Sequence, residues 1–132
     1  MGLLYVTVAK KNPADSTAPV KYYLQSKIRG RKTYRNLLET AGKNITANPK
    51  EIDLAVSAWL DALTAALSDG FSVEIEGLGT FATSIKSEGV LTEAEATASK
   101  RKNISLTFRA KPEMRKKVND FTLEKYTPGG TL

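Results

Sequence analysis

The side chains in this chain that can do chemistry are cations. Between residues 99 and 117 stand Lys100, Arg101, Lys102, Arg109, Lys111, Arg115, Lys116 and Lys117, against a single acid, Glu113. Ammonium and guanidinium groups at that density can neutralise the phosphates of a polyanion such as DNA. A solvated basic face is the plain alternative for the same run. Lys86 stands nearby as an isolated cation, followed by Glu88, Glu93 and Glu95. The chain has no cysteine and no histidine. That removes disulfides, thiolate metal ligands, thiol nucleophiles and any triad built on histidine. No pair of carboxylates sits in an apolar stretch that would tune it for proton transfer. The chemistry therefore reads as binding: no enzyme, no catalytic residue, no metal, no cofactor and no small-molecule substrate.

The elements that must position these cations are legible in part. The 132 residues carry a net charge of +6 and 41% hydrophobic residues, which suits one modest domain with extensions. No apolar run approaches a membrane span. The opening residues lack the basic-then-apolar order of a signal peptide, and Val6 stands where a myristoylation motif has Ser or Thr. A cytoplasmic, nucleoid location is expected. Residues 3–9 and 20–28 read as strands, joined by a loop from Asn12 to Pro19 with Gly30 closing the second. A first helix is expected from Thr33, as N-cap, to Ala41, with Gly42 stopping it in a left-handed conformation. A second helix opens on Asn48-Pro49 with Glu51 completing a capping box. Ile52, Val56, Trp59, Leu60, Leu63 and Leu67 then make a broad apolar face, and Gly70 lies just past the end.

Beyond Gly70, Phe71 to Glu76 alternates as a strand, and Gly77 and Gly79 permit a turn with positive φ. Thr80 to Ile85 continues as a strand, and Ile104, Leu106 and Phe108 alternate on its return. Pro112 starts a last helix whose inward face is Met114, Val118 and Phe121. Residues 123–132 read as a short tail with a flexible end at Pro128-Gly129-Gly130. Between the strands, residues 86–99 fit either a ribbon or, through the Glu and Ala of Thr92 to Ala98, a helix.

The order helix, Gly70, alternating strand, Gly77-Leu78-Gly79-Thr80-Phe81, followed by Leu106-Thr107-Phe108-Arg109-Ala110-Lys111-Pro112, resembles the HU/IHF family of histone-like DNA-binding proteins. The resemblance covers residues 33–121. Three further pieces, Lys11-Asn12-Pro13, Lys21-Tyr22-Tyr23 and Ser87-Glu88-Gly89, are similar to an HU-like variant with an N-terminal extension. The resemblance implies an α+β fold that forms an intertwined homodimer. A helical hairpin lies beneath a β-sheet saddle with a short or altered β-arm, with an extra N-terminal β-hairpin and a short C-terminal helix. Residues 1–30 are then the extension, 31–121 the DNA-binding domain and 122–132 the tail. In such proteins the arms enter the minor groove and apolar wedges stabilise a bend; Val90 or Leu91 is the candidate wedge here. The arm occupies residues 82–107, with no proline in it and few cations on its outgoing leg.

The function expected is histone-like binding of double-stranded DNA through phosphates, largely without sequence specificity. The candidate contacts are Lys86, Lys100, Arg101, Lys102, Arg109, Lys111, Arg115, Lys116 and Lys117. The acidic outgoing leg keeps a second function open, an HU-like fold used as a protein-assembly module. A sequence-specific regulator lacks an evident recognition helix for the major groove. Lys10, Lys11, Lys21, Lys27, Arg29, Arg31 and Lys32 either form a second phosphate strip or guard an edge hairpin against aggregation. Tyr22 and Tyr23 either stack on bases or pack on the core.

Overall fold

The structure, a computed structural model, describes residues 1–128. In chain order the elements are β1 (Leu3–Lys10), β2 (Lys21–Lys27), α1 (Tyr34–Asn44), α2 (Pro49–Ser68), β3 (Val73–Ile75), β4 (Gly79–Ser87), β5 (Arg101–Ala110), α3 (Pro112–Asn119) and β6 (Leu123–Lys125). The class is mixed α and β, with two three-stranded sheets ordered β2-β1-β6 and β3-β4-β5. The chain forms two compact units, Met1–Leu37 with the described residues from Asn119 on, and Leu38–Val118.

In the first unit β1 and β2 pair antiparallel from Leu4↔Lys27 to Lys10↔Lys21. Their connection is fixed by local side-chain turns. The Asn12 carboxamide oxygen accepts from the Ala14 N–H at 3.0 Å, and the Asp15 carboxylate accepts from the Thr17 hydroxyl at 2.6 Å and its N–H at 2.9 Å. The Thr17 hydroxyl, and then its N–H, hold the Asp15 carboxyl below the ordinary carboxylate value. The segment read as a short tail supplies β6, which lies parallel to β1 with Leu4 beside Glu124. Its Tyr126 N–H donates to the Tyr5 carbonyl at 2.9 Å. Arg29 reinforces this edge, donating to the Gly2 carbonyl at 3.1 Å and pairing with Glu124 at 3.4 Å. The Lys27 ammonium sits 4.5 Å from the Tyr126 ring centroid. Leu4, 3% exposed, is the one buried apolar side chain among the described residues. Gly129 and Gly130, where a flexible end is expected, lie outside the described residues.

Thr33 caps α1 as expected. The Asn36 N–H donates to its hydroxyl at 3.2 Å, and the Thr33 N–H donates back to the Asn36 carboxamide at 3.0 Å. The expected stop at Gly42 is corrected. The helix runs on to Asn44, and positive φ among the described residues is confined to Gly70 and Gly77. A Cβ at Gly42 would stand 3.6 Å from both Ala47 and Pro49, an ordinary contact distance, so neither space nor a left-handed conformation requires glycine there. One helical glycine costs only about 1 kcal/mol, which its neighbours' hydrogen bonds offset.

In the second unit, α2 opens with a full capping box: the Glu51 N–H donates to the Asn48 carboxamide at 2.9 Å and the Asn48 N–H to the Glu51 carboxylate at 3.1 Å. Ile52, Val56, Leu63 and Leu67 are half-buried. Trp59, on the apolar face read from the sequence, is 46% exposed in the single chain. Leu60 on the same face is also 46% exposed.

Candidate nucleic-acid interface

The ribbon that carries the cations is pinned at its base by two glycines with different duties. Gly77 adopts φ 77°, the left-handed conformation the turn from β3 requires. Gly79, expected to do the same, has no positive φ; it is needed for space instead. A Cβ there would come within 2.6 Å of the Phe108 ring and would also meet the Arg109 carbonyl. The missing side chain lets β5 approach, and the Phe81 and Phe108 rings meet across the ladder with centroids 4.8 Å apart and a 39° tilt. The Lys111 N–H closes the base by donating to the Leu78 carbonyl at 3.0 Å.

From that base the register runs Phe81↔Phe108, Thr83↔Leu106, Ile85↔Ile104 on one face and Thr80↔Arg109, Ala82↔Thr107, Ser84↔Ser105, Lys86↔Asn103 on the other. Val73 pairs with Phe81 and Glu74 with Thr80, so β3 extends both faces. The first face is apolar and uncovered: Ile85 is 74% exposed and Leu106 61%. The second is a row of hydroxyls bracketed by Arg109 at the base and Lys86 near the far end. Six strand steps separate the two, about 20 Å. Within the row the Ser84 and Ser105 hydroxyls share a hydrogen bond at 2.8 Å, and the Thr107 hydroxyl donates to the Ala82 carbonyl at 3.1 Å. These hydroxyls were not among the expected contacts. The signal was present as Thr and Ser at alternate positions on both legs.

Beyond Lys86 the register shifts by a bulge, so that Arg101 faces Ser87 and Lys102 is the inserted residue. This concentrates Lys100, Arg101 and Lys102 in one place. The Glu88 N–H donates to the Lys100 carbonyl at 2.9 Å and closes the ladder there. The alternatives left open for residues 86–99 resolve into ribbon as far as Ser87, followed by two 3-10 turns at Glu93–Glu95 and Ala98–Lys100. Leu91, the candidate wedge, is fully exposed beyond the ribbon's end, while Val90 is half-buried.

The remaining candidates sit where β5 passes into α3. Arg115, Lys116 and Lys117 are exposed, and the last two lie in the final turn of α3, where the helix dipole favours cations. Lys111 differs from them. Its ammonium forms an ion pair with Glu74 on β3 and is half-buried. That hydrogen bond, with Glu74, Glu113 and Glu76 as nearby charges, holds the Lys111 pKa above the ordinary lysine value despite partial desolvation. A raised lysine pKa contributes stability in full below the unfolded-state value of about 10.4. The contribution fades as pH rises past the folded value. At neutral pH the pair is intact, and Lys111 already has a carboxylate partner.

Thus the structure brings Lys100–Lys102 together at the bulge, sets Lys86 and Arg109 at opposite ends of one polar face, places Arg115–Lys117 on α3 and commits Lys111 to Glu74. No helix among the described residues is long and apolar enough to cross a membrane.

No curated protein matches this sequence. Among solved structures, the crystal structure of a proposed DNA-binding protein from Bacteroides vulgatus is similar in fold. Its TM-score is 0.67 at 17% identity, over 93% of this chain and 47% of that one. The present chain thus spans about half the length of that protein. A family model described as an HU domain fused to a wHTH, Ig or glycine-rich motif matches residues 1–125, the N-terminal strands included. This chain belongs to that family of HU domains.

Proposed function

We propose that this protein binds duplex DNA through its phosphates, largely without sequence specificity, as a homodimer that organises nucleoid DNA. The observation that carries this reading is the clustering of cations on one leg of the ribbon and on α3, with one acid among eight basic residues from 99 to 117. Contacts of that kind position a protein on the duplex but read no base. In chain order, residues 1–30 serve as the β extension, 31–121 as the DNA-binding domain and 122–132 as the tail.

The dimer follows from unburied surface. Trp59 and Leu60 on α2 and the ribbon's Ile85, Ile104, Leu106 and Phe108 remain largely exposed in one chain. Burying each such side chain stabilises by roughly 1.5–3 kcal/mol. A second copy offers the matching apolar face, since a two-fold contact places the same patch on both partners. Exchange of Arg101 and Arg109 for glutamate tests the DNA contact. Duplex affinity should collapse while circular dichroism and dimer mass stay unchanged; full affinity in a folded double variant would refute the assignment.

One observation favours a second reading, in which the HU-like fold assembles with other proteins. The outgoing leg carries Lys86 alone, Glu88, Glu93 and Glu95 follow it, and Glu74 lies on the polar face of the sheet. Absence of DNA binding at low salt would select that reading.

A further inference from the structure

The first unit holds a second concentration of positive charge. From Ser16 to Leu38 the chain carries Lys21, Lys27, Arg29, Arg31, Lys32 and Arg35 and no acid. Arg29, Arg31 and Lys32, with Gly30 and Asn36, line an open cavity of about 400 Å³. Among the described residues no carboxylate lines it. Arg29 is fixed at its wall by the Gly2 carbonyl and Glu124. Arg31 and Lys32 are exposed and make no ion pair among the described residues. At Gly30 a Cβ would meet nothing within 4 Å, so the approach between the two arginines is open. α1 begins immediately beyond, with the positive end of its dipole towards this segment.

We propose that this cavity takes a phosphate of the nucleic-acid backbone, giving the chain a second phosphate-contact surface in addition to the ribbon and α3. The inference rests on the DNA-binding reading above. A guanidinium fork matches phosphate oxygens in a bidentate way, and an ammonium adds a point charge. Because the cations are hydrated and the cavity open, a free anion gains little there. A duplex presents phosphates at high density along its length and releases counterions as each is neutralised. That difference favours the polymer over the free ion. The segment where the extension passes into the following domain then acts as a phosphate clamp whose geometry is set by the Arg29–Glu124 link between the end of β2 and β6.

The test is the salt dependence of duplex binding by the full chain, comparing the wild type with R31Q/K32Q. K43Q/K50Q, which removes two cations elsewhere, is the charge-matched control, and R31K/K32R restores the charge. Losing that phosphate contact in each engaged protomer should flatten the plot of log affinity against log salt by about 0.9 and weaken binding about eightfold at 0.1 M salt. The control and the restored variant should keep the wild-type slope. A folded R31Q/K32Q with the wild-type slope, or a control that falls equally, overturns the inference while leaving the DNA-binding reading intact. A wild type that ignores duplex at low salt overturns both. Inorganic phosphate added at constant ionic strength should leave the wild-type slope unchanged. Competition by it at low millimolar concentration would assign the cavity to the free ion and overturn the polynucleotide reading.

Discussion

The two legs of the β4–β5 ribbon share one ladder, one twist and one pair of faces, yet they differ in charge. Residues 79–87 on the outgoing leg hold Lys86 alone, and the acids Glu88, Glu93 and Glu95 follow. The returning leg holds Arg101, Lys102 and Arg109, with Lys100 just before it and α3 just after. Pairing therefore sets the shape of the ribbon without setting its potential. A symmetric ribbon would attract phosphate along both edges. On the proposed reading this one offers phosphate its returning edge, its bulge and the helix that follows, while hydroxyls stand on both legs, at Thr80 and Ser84 and at Ser105 and Thr107.

The comparison presupposes that a second copy covers the apolar side. On the proposed dimer the Trp59 ring becomes buried, and Trp59→Ala should lower the stability of the dimer by about 3–5 kcal/mol. Chemical denaturation at several protein concentrations measures this; a variant as stable as the parent would leave the apolar faces unexplained. Next in size is the returning leg itself. R101E/R109E should lose roughly 60-fold or more in duplex affinity at 0.1 M salt, since each lost contact is worth about 0.9 in log affinity per decade of salt. Gly79→Ala attacks the register that gives both legs their faces. A Cβ 2.6 Å from the Phe108 ring must displace it, and such overpacking typically costs about 1–3 kcal/mol. Near-ultraviolet circular dichroism and thermal unfolding report it, and an unchanged melting point would mean that the two legs need not approach so closely.

Smaller effects discriminate between the legs. Lys86→Gln should weaken binding by less than about tenfold, at most one phosphate contact. A loss equal to that of the returning-leg variant would erase the asymmetry. Glu74→Gln should act in the opposite sense. Freed from its carboxylate, the Lys111 ammonium becomes available to phosphate, so affinity should rise by up to about tenfold and the salt slope steepen by up to 0.9. Unchanged or weaker binding would show that Lys111 has no access to DNA even when unpaired.

Much of this fold could be read from the sequence where local chemistry dictates it. Asn48-Pro49 with Glu51 specifies the start of α2 because each residue satisfies a backbone group within one turn. The alternation through Phe81, Thr83, Ile85 and Ile104, Leu106, Phe108 defines two strands and their shared face. What could not be read depends on partners distant in sequence. Leu123-Glu124-Lys125 is too short to show a period, and it becomes a strand only because β1 has a free edge. Gly79 was assigned a turn conformation because nothing local reveals that the Phe108 ring lies against it. The Glu74–Lys111 pair gives one of the expected cations a carboxylate partner, and it exists only once β3 and the end of β5 are neighbours. The Glu and Ala run from Thr92 to Ala98 had helix formers but too few residues for a stable α-helix, and it settles into 3-10 turns.

The central claim, phosphate-driven DNA binding, is tested most directly by fluorescence anisotropy of the wild-type protein with a mixed-sequence duplex, titrated with salt. With about half of the candidate cations engaged, log affinity should fall linearly with log salt at a slope of roughly −4 per protomer, near 0.9 for each phosphate neutralised. A folded dimer that shows no binding at low salt, or binding indifferent to salt, would contradict the claim.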